Sequence, residues 1–154
     1  MNNDLEKYKD SLPIIKTNNT FLDVTHVSIE ELEKYINHRI WIRRRNFDKY
    51  VTESIETLID IDENEIIFSD YTMNYVDLIG IEDLDVNYND GKIDFLKFIG
   101  KKVRITNKYD SFIDCAIQYV DDELIWFAVR LEDYASLSYD LTYPLNLIRK
   151  IEII

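Results

Sequence analysis

At 154 residues the chain is long enough for one ordinary domain or two very small ones. A hydrophobic fraction of 46%, with 13% aromatic, excludes wholesale disorder, and only 3 glycines and 2 prolines exclude a loop-dominated or low-complexity chain. With 30 acids against 18 bases the formal charge is −12, which disfavours a general nucleic-acid or anionic-membrane binder because long-range repulsion opposes the encounter.

The first residues, MNNDLEKYKDSLPIIK, lack a basic region followed by an apolar run, so no signal peptide is expected. Pro13 and the pair Asn18-Asn19 suggest a short edge strand, a turn and a second strand over Phe21 to Val27. Residues 1–27 are read as an N-terminal extension. Ser28-x-x-Glu31 then has the form of a capping box, with Ile29, Leu32 and Ile36 at helical spacing and Asn37 as a left-handed stop. Strands follow at Arg39 to Arg45 and Val51 to Ile61, with Ile40 and Ile42 inward and Trp41 and Arg43 on the other face. An acidic turn, Asp62-Glu63-Asn64-Glu65, leads to Ile66-Ile67-Phe68, and apolar residues continue through Leu78-Ile79 to Ile81, Leu84 and Val86.

The stretch Asn87 to Gly91 is rich in turn formers and marks the expected boundary between units at 28–88 and 89–154. A second short helix is expected over Ile93 to Ile99, stopped by Gly100. Strands are then read near Lys102 to Thr106, Ser111 to Val120, Glu123 to Leu131, Ser138 to Tyr143, and Leu147 to Ile154. The order repeats that of the first half. Tyr35-Ile36 matches Phe98-Ile99, Ile40-x-Ile42 matches Val103-x-Ile105, and Ile66-Ile67-Phe68 matches Ile125-Trp126-Phe127. Ile81-x-x-Leu84-x-Val86 is set against Ile148-x-x-Ile151-x-Ile153, and Asp121-Asp122-Glu123 takes the place of the earlier acidic turn. Eleven tyrosines and seven phenylalanines favour pleated, half-buried surfaces. The expected fold is therefore mainly β, with a duplicated unit.

The run Phe95-Leu96-Lys97-Phe98-Ile99-Gly100-Lys101-Lys102-Val103-Arg104-Ile105 resembles the opening of Sm-like small barrels, in which a short helix delivers a glycine turn into the first strand. SH3-like barrels fit equally well. The resemblance implies two tandem small SH3-like or Sm-like barrels, each preceded by a short α-helix. The residues by which Sm-like proteins hold RNA do not carry over. Asp114-Cys115-Ala116 stands where a strand glycine is usual, and Ile148-Arg149-Lys150-Ile151 stands where an Arg-Gly pair is usual.

Chemistry-bearing patterns are few. Arg43-Arg44-Arg45, with Trp41 and Tyr50 nearby, could hold a phosphate or stack a base; the simpler reading is a solvated strand end neutralised by the chain's own carboxylates. Asp60, Asp62 and Asn64 have the spacing that opens a calcium loop, but Glu65 and Tyr71 stand where that loop needs Gly and Glu, so no metal is expected. His26 and His38 are too few for a histidine-built centre. The single cysteine, Cys115, excludes an internal disulfide, sits in an apolar strand pattern and reads as an inert thiol. The three glycines, Gly80, Gly91 and Gly100, form no phosphate loop, and no nucleophile motif is present. No catalytic residue and no cofactor is expected.

What remains is acid beside aromatic. Asp62, Glu63 and Glu65 and the matching Asp121, Asp122 and Glu123, with Tyr71 and Tyr75 (and Tyr134 and Tyr139) as anchors, suit a basic protein partner. The expected function is that of a cytoplasmic, non-catalytic protein that neutralises such a partner. An immunity protein paired with a nucleic-acid-binding toxin would fit, as would a phage counter-defence inhibitor. The alternative is a module that binds RNA or a small nucleotide through Trp41, Arg43, Arg44 and Arg45, or a structural subunit of an assembly.

Overall fold

A computed structural model describes residues 21–46, 50–129 and 141–154. The chain divides into two units, one of residues 23–86 and one of residues 87–154 together with Phe21 and Leu22. They are called here the first and second units. The expected strand near Pro13 and the anchors Tyr134 and Tyr139 lie outside the described residues.

In the first unit the strands are β1 (Arg39–Arg45), β2 (Val51–Asp62), β3 (Glu65–Phe68), β4 (Thr72–Asn74) and β5 (Leu78–Asp83). They form one antiparallel sheet in the order β4-β3-β2-β1-β5. The second unit repeats this with β6 (Lys102–Asn107), β7 (Phe112–Val120), β8 (Leu124–Ala128), β9 (Leu141–Pro144) and β10 (Ile148–Ile153), in the order β10-β6-β7-β8-β9. A single 3₁₀ turn, Tyr75–Asp77 or Leu145–Leu147, precedes the last strand of each. The mainly β expectation holds, but the sheets are open rather than closed barrels.

The two expected α-helices are each a single 3₁₀ turn, Glu31–Tyr35 and Phe95–Phe98. So short a segment cannot offset its nucleation cost, and tertiary capture ends it. Asn37, at φ 70°, donates its N–H to Leu58 O at 2.6 Å; Gly100, at φ 81°, does the same to Ile117 O at 2.8 Å. The left-handed stop is thus also the point where the chain joins β2 or β7. At the start, Ser28 Oγ accepts from Glu31 N–H at 3.2 Å as a capping box requires. Glu31 does not reach back to the backbone; its carboxylate accepts from the same hydroxyl at 3.1 Å. The strand expected over Phe21 to Val27 reduces to one bridge, Thr25 to Ile81.

Pairing registers align the two sheets. Ile40 and Ile42 correspond to Val103 and Ile105, all four buried, and Leu58 and Ile117 sit at the same place before a β-bulge in both units. One sequence match needs correction. Ile42 pairs with Ile81, and its counterpart Ile105 pairs with Ile151, so Ile81 corresponds to Ile151 and not to Ile148. The residue that corresponds to Ile148 is Leu78, each being the first residue after the second 3₁₀ turn. Similar apolar spacing along one strand hid a three-residue offset.

Each unit has its own core. In the first, Leu32, Ile40, Ile42, Leu58, Ile66 and Ile81 are at most 1% exposed. In the second, Val103, Ile105, Ile117, Ile125, Phe127 and Leu147 are fully buried. The turn-rich stretch 87–91 is built into the second unit instead of linking the two: Asn89 donates through Nδ2 to Leu145 O and Ile148 O, both at 2.9 Å. No helix among the described residues is long and apolar enough to cross a membrane.

Candidate functional site

The two acidic turns lie at the same place in the repeated fold, one at the tip of the β2–β3 hairpin and one at the tip of β7–β8. Asp62, Glu63 and Glu65 are all exposed, with Glu63 at φ 55° closing the first turn. Asp121, Asp122 and Glu123 are exposed as well. Asp121 is also structural, since its Oδ1 accepts from Glu123 N at 2.8 Å and Leu124 N at 2.7 Å. That anchoring directs the remaining carboxylates of the tip outward from a fixed turn.

Tyr71 and Tyr75 are half-buried against the first unit's core. Tyr75 donates its hydroxyl to Val27 O at 2.6 Å. The Tyr71 ring packs on Phe68 at 5.0 Å and lies 4.6 Å beneath the Arg44 guanidinium, while its hydroxyl meets Ser54 Oγ at 3.4 Å. Tyr75 adjoins the first acidic tip, its N–H donating to Asn64 O at 2.7 Å, and at the second tip aromatic surface is supplied by Tyr119, 57% exposed, against Trp126 at 5.1 Å. Sequence reasoning missed this pair for a physical reason. Ile113, Cys115 and Ile117 alternate inward, which would carry Tyr119 inward too, but the bulge between Ile117 and Tyr119 reverses the face and sets Tyr119 opposite Trp126.

Of the arginine cluster, Trp41 is only 1% exposed, so it cannot form the stacking surface that its alternation suggested. It lies on β1, an interior strand of the sheet, flanked by Ile55 and by the buried Glu82. Arg43 forms a cross-strand ion pair with Glu53 at 2.9 Å and lies 5.6 Å over the Trp41 ring. Neutralisation by the chain's own carboxylates therefore holds for Arg43. Arg44 and Arg45 line an open cleft with Asn46, Thr72, Asn74 and Asp77, of about 480 Å³.

Glu56, coupled by charge to Arg44 and Tyr71, is 8% exposed. Burial pushes its carboxyl above the ordinary value of 4.5; Asp70 adds to this, while the Ser54 hydrogen bond and the Arg39 and Arg44 charges oppose it. Burial likewise raises the Tyr71 hydroxyl, with Glu56 adding to it against Ser54 and Arg44. A carboxyl raised in the fold binds its proton more tightly there than in the unfolded chain. Its stabilising contribution is complete below about 4.5 and is lost as pH rises through the folded value. Glu56→Gln, which mimics the protonated form, is expected to raise Tm at pH 8 and to change it little at pH 4. Thermal melts showing an equal shift at both pH values would contradict this.

Asp114 is 4% exposed and accepts from Arg104 Nε at 2.7 Å and Nη2 at 3.1 Å. Next to it, Cys115 is buried, and burial followed by the Asp114 charge pushes its thiol far above the usual range. Native protein is expected to react with a thiol reagent on the order of 10²-fold more slowly than unfolded protein. Equal rates in buffer and in denaturant would place the thiol at the surface. His38 Nδ1 lies 3.0 Å from Asp83 and 3.6 Å from Asp85, a grouping that could accept a cation. Both carboxylates are already tied to the backbone, Asp83 by Asp85 N and Asp85 by Arg39 N, so the group also fastens β1 to the residues after β5.

Comparison of the chain with protein-family models, with curated proteins and with solved structures found no match.

Proposed function

We propose that this is a small acidic binding protein that neutralises a basic protein partner without catalysis. The observation that carries the reading is the repetition of an exposed acidic hairpin tip at the same place in both units, Asp62 to Glu65 and Asp121 to Glu123, on a chain of charge −12. Such tips steer a cationic partner in, and aromatic surface such as Tyr119 against Trp126 supplies short-range contact. A toxin nuclease or a nucleic-acid-binding defence protein has the required charge, which suits an immunity-like or counter-defence role inside a cell. A four-strand meander with the fifth strand returning beside the first, twice, supports an SH3-like or Sm-like ancestry, which by itself fixes no function.

Native mass spectrometry of protein purified from its own host tests this. A stoichiometric adduct with a basic protein is expected, weakened by salt and by reversing Asp121, Asp122 and Glu123 to lysine. Recovery of the chain alone would count against the reading, and a homo-oligomeric ring would assign it to an assembly instead.

A further inference from the structure

We infer that the cleft at the end of β1 is a binding site for a small phosphate-bearing molecule, separate from any protein partner. Three observations converge. The lining is rich in donors, with the guanidinium groups of Arg44 and Arg45, the carboxamides of Asn46 and Asn74 and the Thr72 hydroxyl beside Met73 and Asp77. The Asn74 carboxamide oxygen accepts from Val76 N at 3.0 Å, which leaves its NH2 end as the part available to a ligand. The cations are not spent elsewhere in the way Arg43 is spent on Glu53. Arg44 rests on the Tyr71 ring, and among the described residues neither Arg44 nor Arg45 is within ion-pair distance of a carboxylate.

The third observation is size and sign. A cleft of about 480 Å³ is in the range of small-molecule sites and too large for a bare anion. Its lining carries two positive charges against the single carboxylate of Asp77, on a chain whose overall charge is −12. Acids farther away than about 8 Å are largely screened at physiological salt. Of the nearer ones, Glu56 is buried and neither it nor Asp70 lines the cleft, so the two guanidinium groups are what a ligand meets at contact. Guanidinium forks match phosphate oxygens two at a time, and the π face of Tyr71 holds one fork in place at 4.6 Å. Asp77 then receives a hydroxyl or amino group on the remainder of the ligand, which favours a phosphorylated organic molecule such as a nucleotide over inorganic phosphate.

The test is titration of the full chain with pyrophosphate, adenosine 5′-monophosphate and adenosine, read by calorimetry and by amide NMR shifts. Adenosine 5′-monophosphate is expected to bind, pyrophosphate more weakly and adenosine not at all, with shifts centred on Asn46 and Thr72 to Asp77. Arg45→Glu, at an exposed position, is expected to weaken the phosphorylated probes about tenfold or more while leaving Tm unchanged. Arg44→Lys keeps the charge but loses the fork, and is expected to weaken them by less. Absence of binding by both phosphorylated probes at millimolar concentration would overturn the proposal. So would adenosine binding as well as its phosphate, or an affinity indifferent to Arg45→Glu. None of these outcomes depends on whether a protein partner is found.

Discussion

Replacing Asn107 by leucine is expected to destabilise the protein by about 3–5 kcal/mol in chemical denaturation, the largest effect of any single polar substitution in the second unit. Asn107 is fully buried at the end of β6, and its carboxamide is used at both ends. Oδ1 accepts from Tyr109 N at 2.9 Å and Ser111 N at 3.1 Å, closing the β6–β7 turn. Nδ2 donates to Phe21 O at 3.1 Å and to the Tyr143 hydroxyl at 3.2 Å. Leucine has similar volume, so the loss is not a cavity. It comes from the hydrogen bonds that Phe21 O, Ser111 N, Tyr109 N and the Tyr143 hydroxyl each lose to Asn107, the buried ones costing about 1–3 kcal/mol apiece. Asn107→Asp separates the two ends, because it keeps the acceptors, loses both donors and adds a buried charge. It is expected to be at least as damaging at neutral pH. A loss below about 1 kcal/mol for the leucine variant would mean that the turn is held by its backbone alone.

Gly80→Val is expected to cost about 3 kcal/mol or more and Gly80→Ala somewhat less. Gly80 lies on β5 opposite Arg43, and a Cβ placed there would stand 2.3 Å from Val24 Cγ2, 2.7 Å from Val24 Cβ and 3.0 Å from Thr25 O. The reason for glycine is close approach, since residues 24–25 run along the outer edge of β5, where Thr25 bridges Ile81. Val24→Ala in the Gly80→Ala background removes the atom in worst conflict and is expected to recover about 1 kcal/mol, a non-additivity that a double-mutant cycle measures. Simple additivity of the two changes would show that the segment moves aside freely.

Much of the strand pattern could be read from the residues, and the reasons are local. Alternation at Ile40 and Ile42, the acidic turns and the left-handed Asn37 and Gly100 are all properties of a few neighbouring side chains. What could not be read depends on distant partners. Nothing in the local sequence marks the bulge that turns Tyr119 outward, because it arises from how β7 pairs with β8. Trp41 lies opposite Ile40 and Ile42 in the alternation, as expected, yet burial on both faces of the interior strand β1 keeps it from solvent. The helix signals at Ser28 and Ile93 were genuine capping and spacing signals attached to segments too short to use them. Of the site residues, the acids of the two tips are where their polarity put them. The division of the three arginines, one paired and two facing the cleft, follows from which of them meets Glu53 across β1 and β2.

Residues 21 to 25 give the chain an unusual schedule for assembly. Phe21 stacks on Tyr143 at 4.6 Å and binds Asn107 across 86 positions of sequence, whereas Thr25, four residues on, is fastened to β5. During synthesis the first unit has all its strands once residue 86 has emerged. Phe21 must then wait until β9 is made, long after its own synthesis. So late a closure makes the second unit the slow, non-local step. A ribosome stalled shortly before Tyr143 should therefore hold a chain with one protease-resistant half and one still open.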